Sequence, residues 1–333
     1  MQVGYMRNGN KPSKFIKLLA KTTKYHGIDL VYFHPKDINM NEKIINGKIL
    51  INNKWVKRKV NIPLFVDVTV HSFKFKKQIK FLREHSYFTT GRLASKEITI
   101  EKLMDDGEFS HLLIPTIKHT DFKDFFSFLK KHQKIIMKPS RGERGQDIYM
   151  IAKKKNKFII SFETQEITLS KRQLKSFFKQ KVNERRFIFQ KYINSKTKNG
   201  DPFDCRIRLE KNGNGEWENV INLIRIGTGQ KVVSNVSKGG SVSELNSFLK
   251  ANYGEKWKEV KTSIINTGKT LPYKIEKIFN QELGSLGIDI GIEKDGRLYY
   301  FESNNAPGVE FGEGAIAQVK CDYYKYMLDK LSN

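Results

Sequence analysis

Apolar positions change their period several times along the chain, and each change marks an element. The opening "MQVGYMR" is a short β-rich run. "SKFIKLLAKTTKYHG" follows with helical spacing up to Gly27, and "IDLVYFHP" is a second β-rich run, stopped at Pro35. Strand, helix and strand with such short connections predict a βαβ unit. "KIINGKILINNKWVKRKV" reads as a hairpin and "IPLFVDVTV" as another buried strand. From residue 95, "SKEITIEKLMDDG" and "DFKDFFSFLKKHQ" take helical spacing, the second with Phe122, Phe125, Phe126 and Leu129 on one stripe. "KIIMKPS" and "DIYMIAKKKNKFIISFE" predict strands around a polar loop, and "RRFIFQKYI" a further strand. Beyond residue 200, "FDCRIRLEK", "ENVINLIRIG" and "DIGIEKDGRLYYFESNN" are strand-like, with a hairpin turn at Lys294-Asp295-Gly296. "SVSELNSFLKANY" and "YKIEKIFNQELGSLG" between them read as helical. The pattern as a whole predicts an α+β protein with antiparallel sheets, preceded by a small α/β unit.

The last hairpin carries the most chemistry. Glu302 and Asn304 lie two apart on a strand and share a face. The turn folds Asp289, 13 positions before Glu302, against them. Two carboxylates and an amide oxygen are hard donors suited to Mg²⁺ on nucleotide phosphates. Against this stands an ordinary solvated hairpin. Yet a carboxylate directly after "LYYF" is costly unless it is paired or metal-bound.

A second candidate is "IIMKPSRGERGQDIYMI". An apolar strand delivers Lys138, and a loop with Gly142 and Gly145 follows. Glycines let a backbone approach phosphate oxygens closely, and an ammonium group beside them adds a point charge. The competing reading is a basic hairpin loop. "TGKT" at 267–270 is not a Walker A loop, because Ser263 stands where a glycine is required. "GTG" at 227–229 does not extend to a dinucleotide fingerprint. "KHTDF" at 118–122 reads as a helix start capped by Thr120 rather than as a His119–Asp121 site.

Composition narrows the class without naming a substrate. The chain has 333 residues, 38% apolar and 29% charged, which suits a folded rather than a disordered protein. Its apolar runs are too short to span a bilayer, and the start lacks the apolar core of a secretory signal. Two distant cysteines, Cys205 and Cys321, make neither a disulfide framework nor a metal site and suit a reducing cytoplasm. The net charge of +26 is spread along the chain. Background composition competes with a real attraction to an anionic polymer, an acidic substrate or a membrane surface. No helix-turn-helix or RNA-binding signature is present, so no specific nucleic acid is expected.

"KPSRGERG", "FIFQKYI", "DCRIRL", "NVSKGG" and "GIDIGIEKDGRLYYFESNNAPG" resemble, in order and spacing, the ATP-grasp superfamily, and most nearly its YheC/YheD group of endospore coat-associated proteins. The resemblance implies an ATP-grasp fold: two α+β subdomains clasping nucleotide, over 93–190 and 191–333, behind an N-terminal α/β domain over 1–92. It implies ATP and two Mg²⁺ ions as cofactors, with Asp289, Glu302 and Asn304 as metal ligands. It assigns Lys138 and Lys96 to the phosphates, with Ser140, Gly142 and Gly145 in the covering loop, where Arg141 and Arg144 also lie. Lys191 and Ile193 would meet adenine at the hinge through backbone groups, with Gln190 nearby in the ATP site. Arg206 and Arg225 would line the triphosphate and the activated carboxylate, and Asn235 and Gly240 would enter the same site. Arg208, two residues beyond Arg206, is read as solvent-facing. One departure stands out: some ATP-grasp ligases carry an arginine two residues before the first metal aspartate, where this chain has Gly287. The implied activity is an ATP-dependent ligase joining a carboxylate to an amine through an acyl phosphate, with a cell-envelope or spore-related substrate. A kinase on the same fold, or a non-catalytic coat protein, are the alternatives.

Overall fold

The computed structural model describes residues 1–89, 91, 93–118, 120–140, 147–228 and 240–332. β1 (Gln2–Met6), α1 (Lys14–Tyr25) and β2 (Asp29–Phe33) form the expected βαβ unit. β1 and β2 run parallel from the Gln2–Asp29 pair to Met6–Phe33. Ser13 caps α1 by accepting from the Ile16 amide. Beyond the helix Gly27 takes a φ of +74°, a conformation that a Cβ disfavours.

β3 (Ile38–Asn39), β4 (Ile44–Ile51), β5 (Lys54–Asn61) and β6 (Val66–Val68) complete a six-stranded sheet, with β6 parallel to β1. β6 is shorter than its apolar run predicts, since Pro63 has no amide for a ladder. α2 (Lys76–His85) closes one face of this sheet through Ile79 and Leu82.

The second sheet follows α3 (Lys96–Asp106). It is built from β7 (Thr116–Lys118), β8 (Lys134–Pro139), β9 (Tyr149–Lys154), β10 (Lys157–Phe162), β11 (Gln165–Leu169) and β12 (Phe187–Lys191). α4 (Phe122–His132) and α5 (Lys171–Glu184) cover one face, where Phe125, Leu129, Leu174 and Phe178 meet Ile135, Met137, Phe187 and Phe189. α4 corrects the expected cap: Asp121, not Thr120, accepts from the Asp124 amide at 2.9 Å. A carboxylate is the stronger acceptor at a helix N-terminus. β11 and α5 have no counterpart in the sequence reading, and His119 lies outside the described residues.

The third sheet is antiparallel, in the order β15-β14-β13-β16-β17. Its strands are β13 (Phe203–Lys211), β14 (Trp217–Ile226), β15 (Ser241–Glu244), β16 (Ser285–Ile292) and β17 (Leu298–Asn304). α6 (Leu245–Tyr253) and α7 (Trp257–Phe279) pack on one face. Residues 241–244, expected as a first helical turn, are a strand instead. Glu244 caps α6 by accepting from the amides of Asn246 and Ser247 at 2.8 and 2.7 Å. α7 ends before the predicted stretch does, and "TGKT" lies in its interior with Thr267 and Gly268 buried. α8 (Glu313–Ser332), which the sequence reading did not include, returns to the first sheet and packs beside α1. Among the described residues, no helix is long and apolar enough to cross a membrane.

Candidate active site

The third sheet has two unlike faces. Cys205, Ile207 and Leu209 of β13 enter the apolar core with Ile288 and Ile290 of β16. The strand period therefore turns Asp204, Arg206, Arg208 and Glu210 to the opposite face. The register extends this face across the sheet. Arg206 pairs with Asp289 and Arg208 with Gly287. Asp289 in turn pairs with Glu302, and Gly287 with Asn304. On the other side Asp204 pairs with Arg225. Asp289 and Glu302 thus lie across from each other, as the hairpin predicts.

A β-bulge explains how a carboxylate can follow an apolar run. Leu298 and Tyr300 pair with Ile292 and Ile290 and face the core. The ladder then shifts register, leaving Phe301 as an extra residue, so that Glu302 emerges on the site face. The Phe301 ring lies over Gly291, in the space a Cβ there would need. Phe301 also packs against a small cluster of Ile114, Ile193 and Tyr299.

The second sheet supplies a cation to the same place. Lys138 pairs with Ile188 and Gln190 with Ile136, so Lys138 and Gln190 share a face away from the phenylalanine core. Lys138 Nζ donates to the Phe301 carbonyl at 3.3 Å, bridging the two sheets. Burial, and then the nearby Lys96 ammonium, lower its pKa to about 8. Lys96, at the first residue of α3, forms an ion pair with Glu302. Gln190 donates to the Thr116 hydroxyl at 2.9 Å. The Lys191 amide donates to Pro115, and the Ile193 carbonyl accepts from Ser195, so these two hinge groups are engaged within the protein. Ser140 is buried, and its amide donates to the Arg186 carbonyl.

Two arginines converge on Asp289. Arg206 grips both of its oxygens, with Nη2 at 2.8 Å, and Arg225 Nη2 adds a further bond at 2.8 Å. Arg225 in turn holds Asp204 through two bonds of 2.7 and 2.6 Å. Burial alone would raise the pKa of Asp289. The guanidiniums of Arg206 and Arg225 outweigh it and hold the carboxyl well below the usual range. At Asp204 burial prevails and the pKa is raised. Arg208 corrects the sequence reading: it is 5% exposed and bonds to Glu210 and to the carbonyls of Pro307 and Gly308.

Lys96, Lys138, Arg206, Arg225, Asp289 and Glu302 are thus joined by contacts in one cleft, and Asn304 lies in the adjacent row. Gly142, Gly145, Asn235, Arg141 and Arg144 lie outside the described residues, whereas Gly240 is half-buried just before β15. Sequence reasoning missed the roles of Asp204, Arg208 and Phe301. The alternation in "FDCRIRLE" was the available signal for the first two, because it puts four charged residues on one face of a strand.

Among the described residues, no three His, Cys, Asp or Glu side chains converge as a metal cage. Asp289, Glu302 and the Asn304 amide are instead a sparse set of hard oxygens. That set fits Mg²⁺, which takes one or two carboxylates and completes its shell with phosphate and water.

A family model described as "YheC/D like ATP-grasp" matches residues 85–331. Over 304 residues the chain is 24% identical to the endospore coat-associated protein YheC of Bacillus subtilis (strain 168), covering 87% of this chain and 84% of that one. A RiPP-associated ATP-grasp ligase of Chryseobacterium gregarium, solved with ADP and a leader and core peptide, superposes with a TM-score of 0.56. It is 12% identical, over 99% of this chain and 97% of that one. The D-cycloserine synthetase DcsG superposes with a TM-score of 0.57 at 12% identity, over 98% of this chain and all of that one. At these identities the likeness shows the fold, which is the ATP-grasp fold.

Proposed function

The chain belongs to the YheC/D-like ATP-grasp family, and from that premise we propose that it is an ATP- and Mg²⁺-dependent ligase joining a carboxylate to an amine. The observation that carries this reading is the contact of Lys138 with the Phe301 carbonyl. It sets an ammonium group from one sheet beside the acidic row of another, so phosphates can be held from both sides. Phe301, half-buried and backed by Ile114, Ile193 and Tyr299, offers an apolar group on which a base would rest. Lys138 and Lys96 bind the β- and γ-phosphates, and Lys96 exchanges Glu302 for a phosphate oxygen as it does so. Asp289, Glu302 and Asn304 would hold Mg²⁺ once Asp289 turns an oxygen from Arg206 or Arg225 and Glu302 turns from Lys96, and the ion would supply positive charge to the triphosphate.

Arg206 and Arg225, aimed by Asp289 and Asp204, orient the substrate carboxylate towards the γ-phosphorus. One carboxylate oxygen bonds to phosphorus, and the bond to the β-phosphate bridging oxygen breaks, releasing ADP. The amine nitrogen then attacks the acyl carbon and loses its proton as inorganic phosphate leaves. The protein contributes position and charge rather than a covalent nucleophile. Two free, buried thiols, Cys205 and Cys321, accord with a cytoplasmic setting.

An ADP-release screen over carboxylate and amine pairs, including acidic peptides and cell-envelope precursors, tests the reading when mass spectrometry follows each hit. An amide with free phosphate supports it. A stable phosphate ester would make the protein a kinase. Failure to bind ATP with Mg²⁺ in calorimetry would leave a coat protein that keeps only the fold. Glu302→Gln should abolish turnover while circular dichroism stays unchanged, and near-normal activity in that variant would remove Glu302 from the metal site.

A further inference from the structure

Beside the site, and ending on the same face of β13, runs a buried chain of alternating charge. Arg7 meets Asp67 at 3.0 Å, and Asp67 meets Lys320 of α8 at 3.1 Å. Lys320 lies 3.3 Å from Glu210 and donates to the Ser285 hydroxyl at 3.0 Å. Glu210, 0% exposed, accepts from Arg208 Nε at 2.9 Å and from Ser285. Arg208 ends the chain by donating through Nη1 to the carbonyls of Pro307 and Gly308, the latter at 2.8 Å.

Such a chain is poor value as stabilisation, because well-packed apolar side chains of similar size would serve as well or better. Where it ends gives it a use. The turn held by Arg208 is separated from Asn304 only by Asn305 and Ala306, and a second feature fixes the same turn from below. A Cβ at Gly287 would fall 2.8 Å from Pro307 Cβ and 3.3 Å from both Asn304 Nδ2 and Arg206 Cδ. Only glycine there lets the turn lie flat on β16.

We infer that Arg208 is a positioning residue for the metal motif: it clamps the Pro307–Gly308 turn and so holds Asn304 beside Asp289 and Glu302. Glu210, Lys320 and Asp67 keep Arg208 in place. The inference rests on the Mg²⁺ assignment proposed above.

Calorimetry with a non-hydrolysable ATP analogue, in Mg²⁺ and in excess EDTA, tests it. Arg208→Lys keeps a cation beside Glu210 but cannot also span both carbonyls. It should lower the Mg²⁺-supported affinity about tenfold, the scale of an outer-shell change at a metal site. The EDTA value should stay at the wild-type level, with circular dichroism showing that the variant is folded. Gly287→Ala disturbs the same turn from the opposite side and should give the same selective loss, which keeps the test open if Arg208→Lys does not fold. Glu302→Gln is the control. If it keeps the Mg²⁺-supported affinity, the metal assignment fails. If it loses that affinity while Arg208→Lys and Gly287→Ala keep theirs, the positioning role is overturned and the metal assignment stands. Equal losses in Mg²⁺ and EDTA would also overturn the positioning role, as a general structural effect.

Discussion

Lys138, near the end of β8, is buried beside charged neighbours, and burial and the neighbouring Lys96 ammonium bring its pKa down to about 8. An unperturbed lysine titrates near roughly 10.4. The folded value is the lower one, so charging Lys138 opposes folding. The penalty is present in full below about pH 8 and is relieved as pH rises towards the unfolded value. Lys138→Met should therefore stabilise the free protein. A triphosphate reverses the balance by favouring the ammonium form. Binding of the ATP analogue should then take up a proton, on the order of half a proton at pH 8 and little at pH 6. Calorimetry in buffers of different ionisation enthalpy measures this uptake, and its absence would place Lys138 away from the phosphates. Lys138 was legible because a lone lysine at the end of an apolar strand is conspicuous. Asp204 and Arg208 showed only as charges alternating along one face of a strand, and their partners, 21 and 99 residues away, are displayed by no local pattern.

The bulge at Phe301 is an element-scale device. It adds one residue to β17, places its ring with Ile193 and Tyr299, and presents its carbonyl to Lys138. Gly291 makes room for that ring, so Gly291→Ala forces it aside. The expected cost is about 1–3 kcal/mol in stability, from overpacking. Affinity for the ATP analogue should fall as well, by about tenfold for each 1.4 kcal/mol lost at the bulge. Denaturant unfolding and calorimetry measure the two effects, and an unaltered affinity would separate the bulge from the nucleotide. The sequence showed the hairpin, its turn and the opposition of Asp289 to Glu302, all of which are local. It did not show the bulge, because "RLYYFES" reads as one uninterrupted strand. α5, by contrast, was legible and was passed over: Leu174, Phe177, Phe178 and Val182 take helical spacing, and all four pack on the core of the second sheet.

Asp67 operates at the scale of the whole molecule. From β6 it meets Arg7, just beyond β1, and Lys320 and Tyr324 of the last helix, and so ties the two ends of the chain. Burial works to raise its pKa, but Lys320 and Arg7 prevail and hold it well below the ordinary carboxylate range. Its contribution to stability is therefore fully present above about pH 4 and is lost as pH falls below that. Asp67→Asn leaves Arg7 and Lys320 buried with one carboxylate fewer between them. The expected cost near neutral pH is about 3–5 kcal/mol, the range for breaking a buried pair. The variant should also lose less stability than the wild type between pH 4 and pH 3, so the two urea-unfolding curves converge in acid. Parallel curves would mean that Asp67 is not the carboxylate whose protonation loosens the N-terminal sheet from α8. No periodicity in the chain announces this tie, because it joins residues more than 250 positions apart, and their meeting depends on α8 being seated against the first sheet's unit and the third sheet.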